Sequence, residues 1–128
     1  MTYSVLIIDD DQQVRTMYRL ILERQGYAVD EASNGAEALR LLVNQTPDVI
    51  LLDILMPMLG GEAVLQRIRQ MPSLHNTRVI VLTAYPRFQR TTNFDHVDSF
   101  LIKPIMPRDL LEAIAEALEN NDAAPDDE

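Results

Sequence analysis

The chain alternates short apolar blocks with longer stretches in which apolar residues recur every three or four positions. Val5-Leu6-Ile7-Ile8 is too short for a helix and reads as a buried strand. From about residue 12 to 25, Val14, Met17, Tyr18, Ile21 and Leu22 recur at helical spacing and predict an amphipathic helix that Gly26 closes. Tyr27 to Ala32 alternates weakly, as suits a strand nearer a sheet edge. After the turn Ser33-Asn34-Gly35, Ala38, Leu39 and Leu42 predict a second helix over Ala36 to Asn44. Asp48 to Asp53 is a third strand, with four apolar residues in a row, as expected where both faces are buried. Gly60-Gly61 opens a helix that carries Val64, Leu65, Ile68 and Met71 and ends near Pro72, and Arg78 to Leu82 forms a fourth strand. Tyr85 to Val97 holds Pro86, Thr91-Thr92 and Asn93 without an apolar stripe, so a helix there is expected to be short or irregular. Asp98 to Ile102 is a fifth strand. Pro107 then suits the first turn of a last helix with Leu110, Leu111, Ile114, Ala117 and Leu118 facing the core.

Strand and helix thus alternate five times, which predicts an α/β fold of the flavodoxin-like (βα)5 kind. It is a doubly wound five-stranded parallel sheet in the order 2-1-3-4-5, whose ligands bind outside the carboxyl ends of the strands, beside the switch between the first and third. The 128 residues make one domain, expected over 1–120, and the polar, acidic remainder 121–128 reads as a disordered tail or the start of a linker. Either a stand-alone protein or a part of a longer chain fits that ending. There are no cysteines, hence no disulfide and no thiolate metal site. No apolar run approaches the ~20 residues that span a bilayer. The first residues carry no positive charge ahead of the apolar run, so no signal peptide is expected and the cytoplasm is the default compartment. A net charge of −9 argues against direct nucleic-acid binding. Part of that charge, Asp122, Asp126, Asp127 and Glu128, lies in the tail, but the body is acidic too.

Charge placement sharpens this picture. The first strand ends on Asp9-Asp10, the third on Asp53, the fourth on Thr83 and the fifth on Lys103. Each alone has an ordinary explanation: acids start helices and turns, hydroxyls end strands, and lysines sit in solvent. Together they fall on the one face where this fold takes ligands. Three carboxylates with water form an oxygen-rich site suited to magnesium, and a hydroxyl and an ammonium suit a phosphoryl oxygen. His75 and His96 have no companion at ligand spacing.

The segments Ile8-Asp9-Asp10-Asp11, Leu52-Asp53-Ile54-Leu55-Met56-Pro57, Thr83-Ala84 and Lys103-Pro104 resemble the receiver domain of two-component response regulators, the CheY-like superfamily, over roughly residues 4 to 119. The resemblance implies that Asp53 is the phosphoacceptor, attacking the phosphohistidine of a sensor histidine kinase or histidine phosphotransfer protein. It implies magnesium (or manganese) held by Asp10 directly, by Asp9 largely through water, by Asp53 and by the backbone carbonyl of Leu55. Thr83 would bond the phosphoryl group, and Lys103 would pair with Asp53 and then with the phosphate, aimed by a cis Lys103-Pro104 peptide. Thr83 and Phe100, three residues before the lysine, would form the conformational switch. Such a domain catalyses its own phosphorylation and dephosphorylation but is not a turnover enzyme. Its output would go to an unidentified protein target, with a phosphorylation-dependent homodimer among the forms the family takes.

Three positions depart from the pattern. Gly60-Gly61 stands where Asp-Gly is common, His96-Val97-Asp98 where Gly-Ala-Asp is usual, and the interval from Thr83 to Lys103 is about two residues short. The last two fall around the face many receivers use to dimerise or dock a target. Two other readings fit parts of the pattern. A degenerate receiver would be a binding module that needs no phosphorylation. A haloacid-dehalogenase-like phosphatase would use Asp9-Asp10-Asp11 as its Asp-x-Asp pattern, which leaves Asp53 unexplained. A dinucleotide site lacks its Gly-x-Gly-x-x-Gly after the first strand.

Overall fold

The computed structural model describes residues 2–90, 94 and 96–123. Five parallel strands, β1 (Ser4–Ile8), β2 (Ala28–Ala32), β3 (Val49–Asp53), β4 (Arg78–Thr83) and β5 (Ser99–Ile102), form one sheet in the order β2-β1-β3-β4-β5. The α-helices are α1 (Gln12–Arg24), α2 (Gly35–Leu42), α3 (Gly61–Arg69) and α4 (Pro107–Ala123). The expected doubly wound topology is therefore the one observed.

Alternating strand residues point to opposite faces, so the apolar strings of the three central strands feed two cores at once. Leu6, Ile8, Ile50, Leu52, Val79 and Val81 pack with Ala38 and Leu42 of α2 and Val64, Leu65 and Ile68 of α3. Val5, Ile7, Val49, Leu51, Ile80 and Leu82 pack with Tyr18 and Leu22 of α1 and Leu110, Ile114 and Leu118 of α4. β2 and β5 lie at the edges and are only partly covered; β2 alternates accordingly, whereas β5 carries Phe100-Leu101-Ile102 in a row.

Local chemistry sets the element ends. The Asp11 carboxylate accepts from the backbone N–H of Gln13 at 2.9 Å and of Val14 at 3.4 Å, which starts α1. Gly26, at φ +94°, provides the left-handed residue that ends it. Asp48 and Asp98, expected as first residues of strands, instead use their carboxylates to accept the backbone N–H of Ser4 and Val79, each at 2.8 Å, and the strands begin one residue later. α3 ends at Arg69, short of Met71, and a 3-10 turn follows over Pro72–Leu74.

The short or irregular helix expected between β4 and β5 is, among the described residues, a 3-10 helix, Pro86–Arg90, because Pro86 can start a turn while nothing beyond it supplies an apolar stripe. Thr91-Thr92 and Asn93 lie outside the described residues. α4 continues through Ala123, so residues 121–123, expected in the tail, extend the helix: no breaker precedes Pro125. Residues 124–128, the rest of the expected tail, lie outside the described residues. Among the described residues no helix is long and apolar enough to cross a membrane.

Candidate functional site

Strand register brings the expected residues level. Ile8 pairs with Leu52, Asp53 with Leu82, and Thr83 with Ile102, so the four carboxyl ends finish within about a residue of one another. Asp9 follows β1 directly, and Lys103 follows β5, where its N–H donates to the Thr83 carbonyl at 2.7 Å. The sequence thus sends Asp9, Asp53, Thr83 and Lys103 to one place through four different strands.

Asp9 is fully buried, Asp53 is 6% exposed, and Asp10 is exposed. One carboxylate oxygen from each of these three lies within 4.8 Å of the others. The Lys103 ammonium donates to Asp9 Oδ2 at 2.8 Å and stands 3.5 Å from Asp53 Oδ1. The other Asp9 oxygen accepts the Asp11 N–H at 2.9 Å. Lys103 therefore pairs with Asp53, as the resemblance implied, but its shorter bond is to Asp9. Thr83 is buried, and its hydroxyl oxygen accepts from the Tyr85 N–H at 3.1 Å, which leaves its proton to donate elsewhere.

Burial raises the Asp53 carboxyl from its ordinary 3.8 to about 6, and the Asp9 charge adds to the rise against the pull of Lys103. Burial opposes the Lys103 ammonium, but its bond to Asp9 and the charges of Asp53 and Asp9 outweigh that and raise it. One lysine between crowded carboxylates leaves the site short of positive charge. Three converging oxygens with an unbalanced charge suit a hard divalent cation such as magnesium, so the residues fit the metal the resemblance implied.

The loop after Asp53 is held tightly. The Gly61 N–H donates to the Ile54 carbonyl at 2.8 Å, and a Cβ on Gly61 would run into the Asp53 carbonyl. Leu55 lies in this loop with its side chain half exposed. The Lys103-Pro104 peptide is cis. Phe100 is half-buried against Phe94, edge to face at 6.1 Å. Phe94 meets Phe88 at 6.4 Å, and Phe88 meets Tyr85 at 6.4 Å, so a chain of rings leads from beside Thr83 to β5.

Sequence reasoning missed two participants. Tyr18 reads as a core residue of α1, yet it lies close enough to feel the charges of Lys103, Asp9 and Asp53, while burial pushes its phenol up. Arg15 lies outside the apolar stripe of α1, yet its guanidinium donates to the Asp9 carbonyl at 2.7 Å. Nothing in the helical spacing marks either residue as a neighbour of the acids.

Residues 5–115 match the model of the response regulator receiver domain. The chain belongs to that family. Among curated relatives, this receiver domain is 37% identical over 110 residues to the transcriptional regulatory protein ResD of Bacillus subtilis, covering 84% of this chain and 45% of ResD. It is 38% identical over 112 residues to AfsQ1 of Streptomyces coelicolor, covering 82% of this chain and 46% of that protein. The receiver thus spans about half the length of the curated relatives it matches. Among solved structures, a CheY-like receiver domain protein from Methanospirillum hungatei superposes with a TM-score of 0.89 at 29% identity, covering 96% of this chain and 98% of that one. The response regulator TrrA from Thermotoga maritima, in complex with Mg(2+)-BeF, gives a TM-score of 0.83 at 29% identity, covering 91% of this chain and 99% of that one.

Proposed function

We propose that Asp53 accepts a phosphoryl group from the phosphohistidine of a partner kinase or phosphotransfer protein, in a reaction that needs magnesium. The observation that carries this reading is the convergence of Asp9, Asp10 and Asp53 around one point, with Lys103 reaching into the same cluster. The relative solved with Mg(2+)-BeF supports the metal.

An Asp53 carboxylate oxygen attacks phosphorus in line, the phosphorus–nitrogen bond to imidazole breaks, and an acyl phosphate forms while the imidazole leaves with the bonding pair. Bound magnesium supplies charge neutralisation for the three carboxylates and the transferring phosphoryl oxygens. Lys103 stays anchored on Asp9 as its contact with Asp53 gives way to one with the phosphoryl group. The Thr83 hydroxyl donates to a phosphoryl oxygen; Asp10, Asp53 and the Leu55 carbonyl would hold the metal directly, and Asp9 largely through water. Movement of Thr83 is transmitted toward Phe100, which changes the surface offered to a protein target or a second copy. The domain carries one phosphoryl group per cycle and releases it by hydrolysis, so it is a signalling component and not a turnover enzyme. The names of the relatives suggest that the response it controls is transcriptional, through a partner or a linked module.

Intact-mass measurement after incubation with acetyl phosphate or phosphoramidate and magnesium tests this. One added phosphoryl group is expected, lost with chelator and lost in Asp53→Asn. Absence of the adduct on the wild type, or its survival in Asp53→Asn, would sink the proposal.

A further inference from the structure

Of the three acids in the cluster, Asp9 and Asp53 are buried, and Asp9 is fixed by Lys103 and by the Asp11 N–H. Asp10 is different. It is exposed, and among the described residues no protein group hydrogen-bonds its carboxylate. Its direction is therefore set by the peptide that joins it to Asp9. The backbone is pinned on both sides of Asp9: the Asp9 N–H, in the preceding peptide, donates to the Ala32 carbonyl at 3.2 Å, and the Asp9 carbonyl, in the joining peptide itself, accepts Arg15 Nη1 at 2.7 Å. Arg15 is only 12% exposed along its side chain, and its Nε bonds Glu31 Oε1 at 2.9 Å. The other Glu31 oxygen is taken by Arg19 at 2.5 Å. Burial opposes the Glu31 charge, but its bonds to the two arginines outweigh that and lower its pKa, which keeps this anchor ionised at neutral pH.

We propose that Arg15, held in place by Glu31, is a positioning residue for the divalent-metal site: it fixes the Asp9–Asp10 peptide and so aims the Asp10 carboxylate at the cluster. The inference rests on the magnesium reading above. A planar guanidinium can bond a carboxylate through one N–H and a carbonyl through another, which a lysine ammonium does less rigidly. Groups that orient metal ligands from behind typically change metal affinity by about 10- to 100-fold when removed.

The charge of Arg15 supplies a discriminating sign. A cation near a magnesium site repels the metal, so if Arg15 acted only through its charge, removing it would tighten binding. If it acts by positioning, removal weakens binding.

The test is calorimetric titration of magnesium into the metal-free full chain, with circular dichroism to verify folding. Arg15→Ala is expected to weaken the dissociation constant about 10-fold or more. Arg15→Lys, which keeps a cation at position 15 but loosens its geometry, should weaken it in the same direction by a smaller factor. It also decides the matter if Arg15→Ala does not fold. Arg19→Ala removes the neighbouring half of the same ion-pair network without touching the Asp9 carbonyl, and should leave affinity within about twofold. Unchanged or tighter binding in the folded Arg15 variants, or equal weakening by Arg19→Ala, overturns the inference alone. If the folded wild type shows no saturable magnesium binding, the metal reading fails and this inference falls with it.

Discussion

Burying the Asp53 carboxylate beside Asp9 raises its pKa from 3.8 to about 6, and the sign of the consequence is fixed by linkage. The folded state takes up this proton more readily than the unfolded chain. Stability from this group is therefore fully present below about pH 4 and is lost as pH rises through about 6. At pH 7 the ionised, buried carboxylate costs about 2–3 kcal/mol, the free-energy equivalent of that rise. Asp53→Asn removes the charge with little change of shape, and Lys103 keeps its shorter bond to Asp9. The variant should unfold at a higher temperature than wild type at pH 7.5, by several degrees, and the gap should close as pH approaches 4. Thermal unfolding followed at pH values from 4 to 8 checks this. A gap that does not change with pH would mean that the carboxylate's ionisation is not what destabilises the site.

An element-scale constraint links α3 to the phosphoacceptor. The helix starts so close to the end of β3 that Gly61 has no room for a side chain, the obstructing atoms being the backbone of Asp53 and Ile54. The intervening loop also holds Met58 at φ +67°, a region that costs an L-residue about 1–2 kcal/mol. Gly61→Ala should destabilise by about 1–3 kcal/mol, since backbone cannot swing aside as a side chain would. At Gly60 the nearest atom to an added Cβ is the Ile54 carbonyl oxygen at 3.4 Å, and the residue is the helix cap without a side-chain bond. Gly60→Ser should therefore stay within about 0.5 kcal/mol of wild type, because serine caps well. Urea unfolding of the two variants reads the contrast. Equal effects would show that the close approach is not what selects glycine.

At the scale of the whole molecule, a chain of net charge −9 concentrates three carboxylates at one end of its sheet. A cation that binds there binds the folded form only, since the unfolded chain separates residues that β1 and β3 bring together. Magnesium at about 100 times its dissociation constant should then raise stability by about 2.7 kcal/mol. The rise in unfolding temperature should be absent with sodium at equal ionic strength, and should shrink as pH falls from 7.5 toward 5 and Asp53 takes up a proton. Differential scanning fluorimetry with both salts separates site binding from general screening. An equal response to both salts would assign the effect to screening of the acidic surface.

The apolar blocks and their spacing determined most of the architecture, because a strand buried on two faces has to read as a continuous run. Three such runs separated by helical periods leave little choice beyond a doubly wound parallel sheet. Register then follows from burying those runs, which is why Asp9, Asp53, Thr83 and Lys103 could be assigned to one end of the sheet from their positions alone. The sequence did not decide the stretch between β4 and β5, where no periodic pattern selects an α-helix and the described residues form a 3-10 turn followed by packed aromatic rings. It did not show that α4 runs through Ala123, since polar residues with no breaker are compatible with either a helix or a tail. Nor did it show that Lys103 bonds Asp9 more closely than Asp53, or that Arg15 reaches the Asp9 carbonyl. Those contacts depend on side-chain reach across elements distant in the chain, and periodicity carries information about faces but not about distances. Tertiary structure alone decided which charges touch.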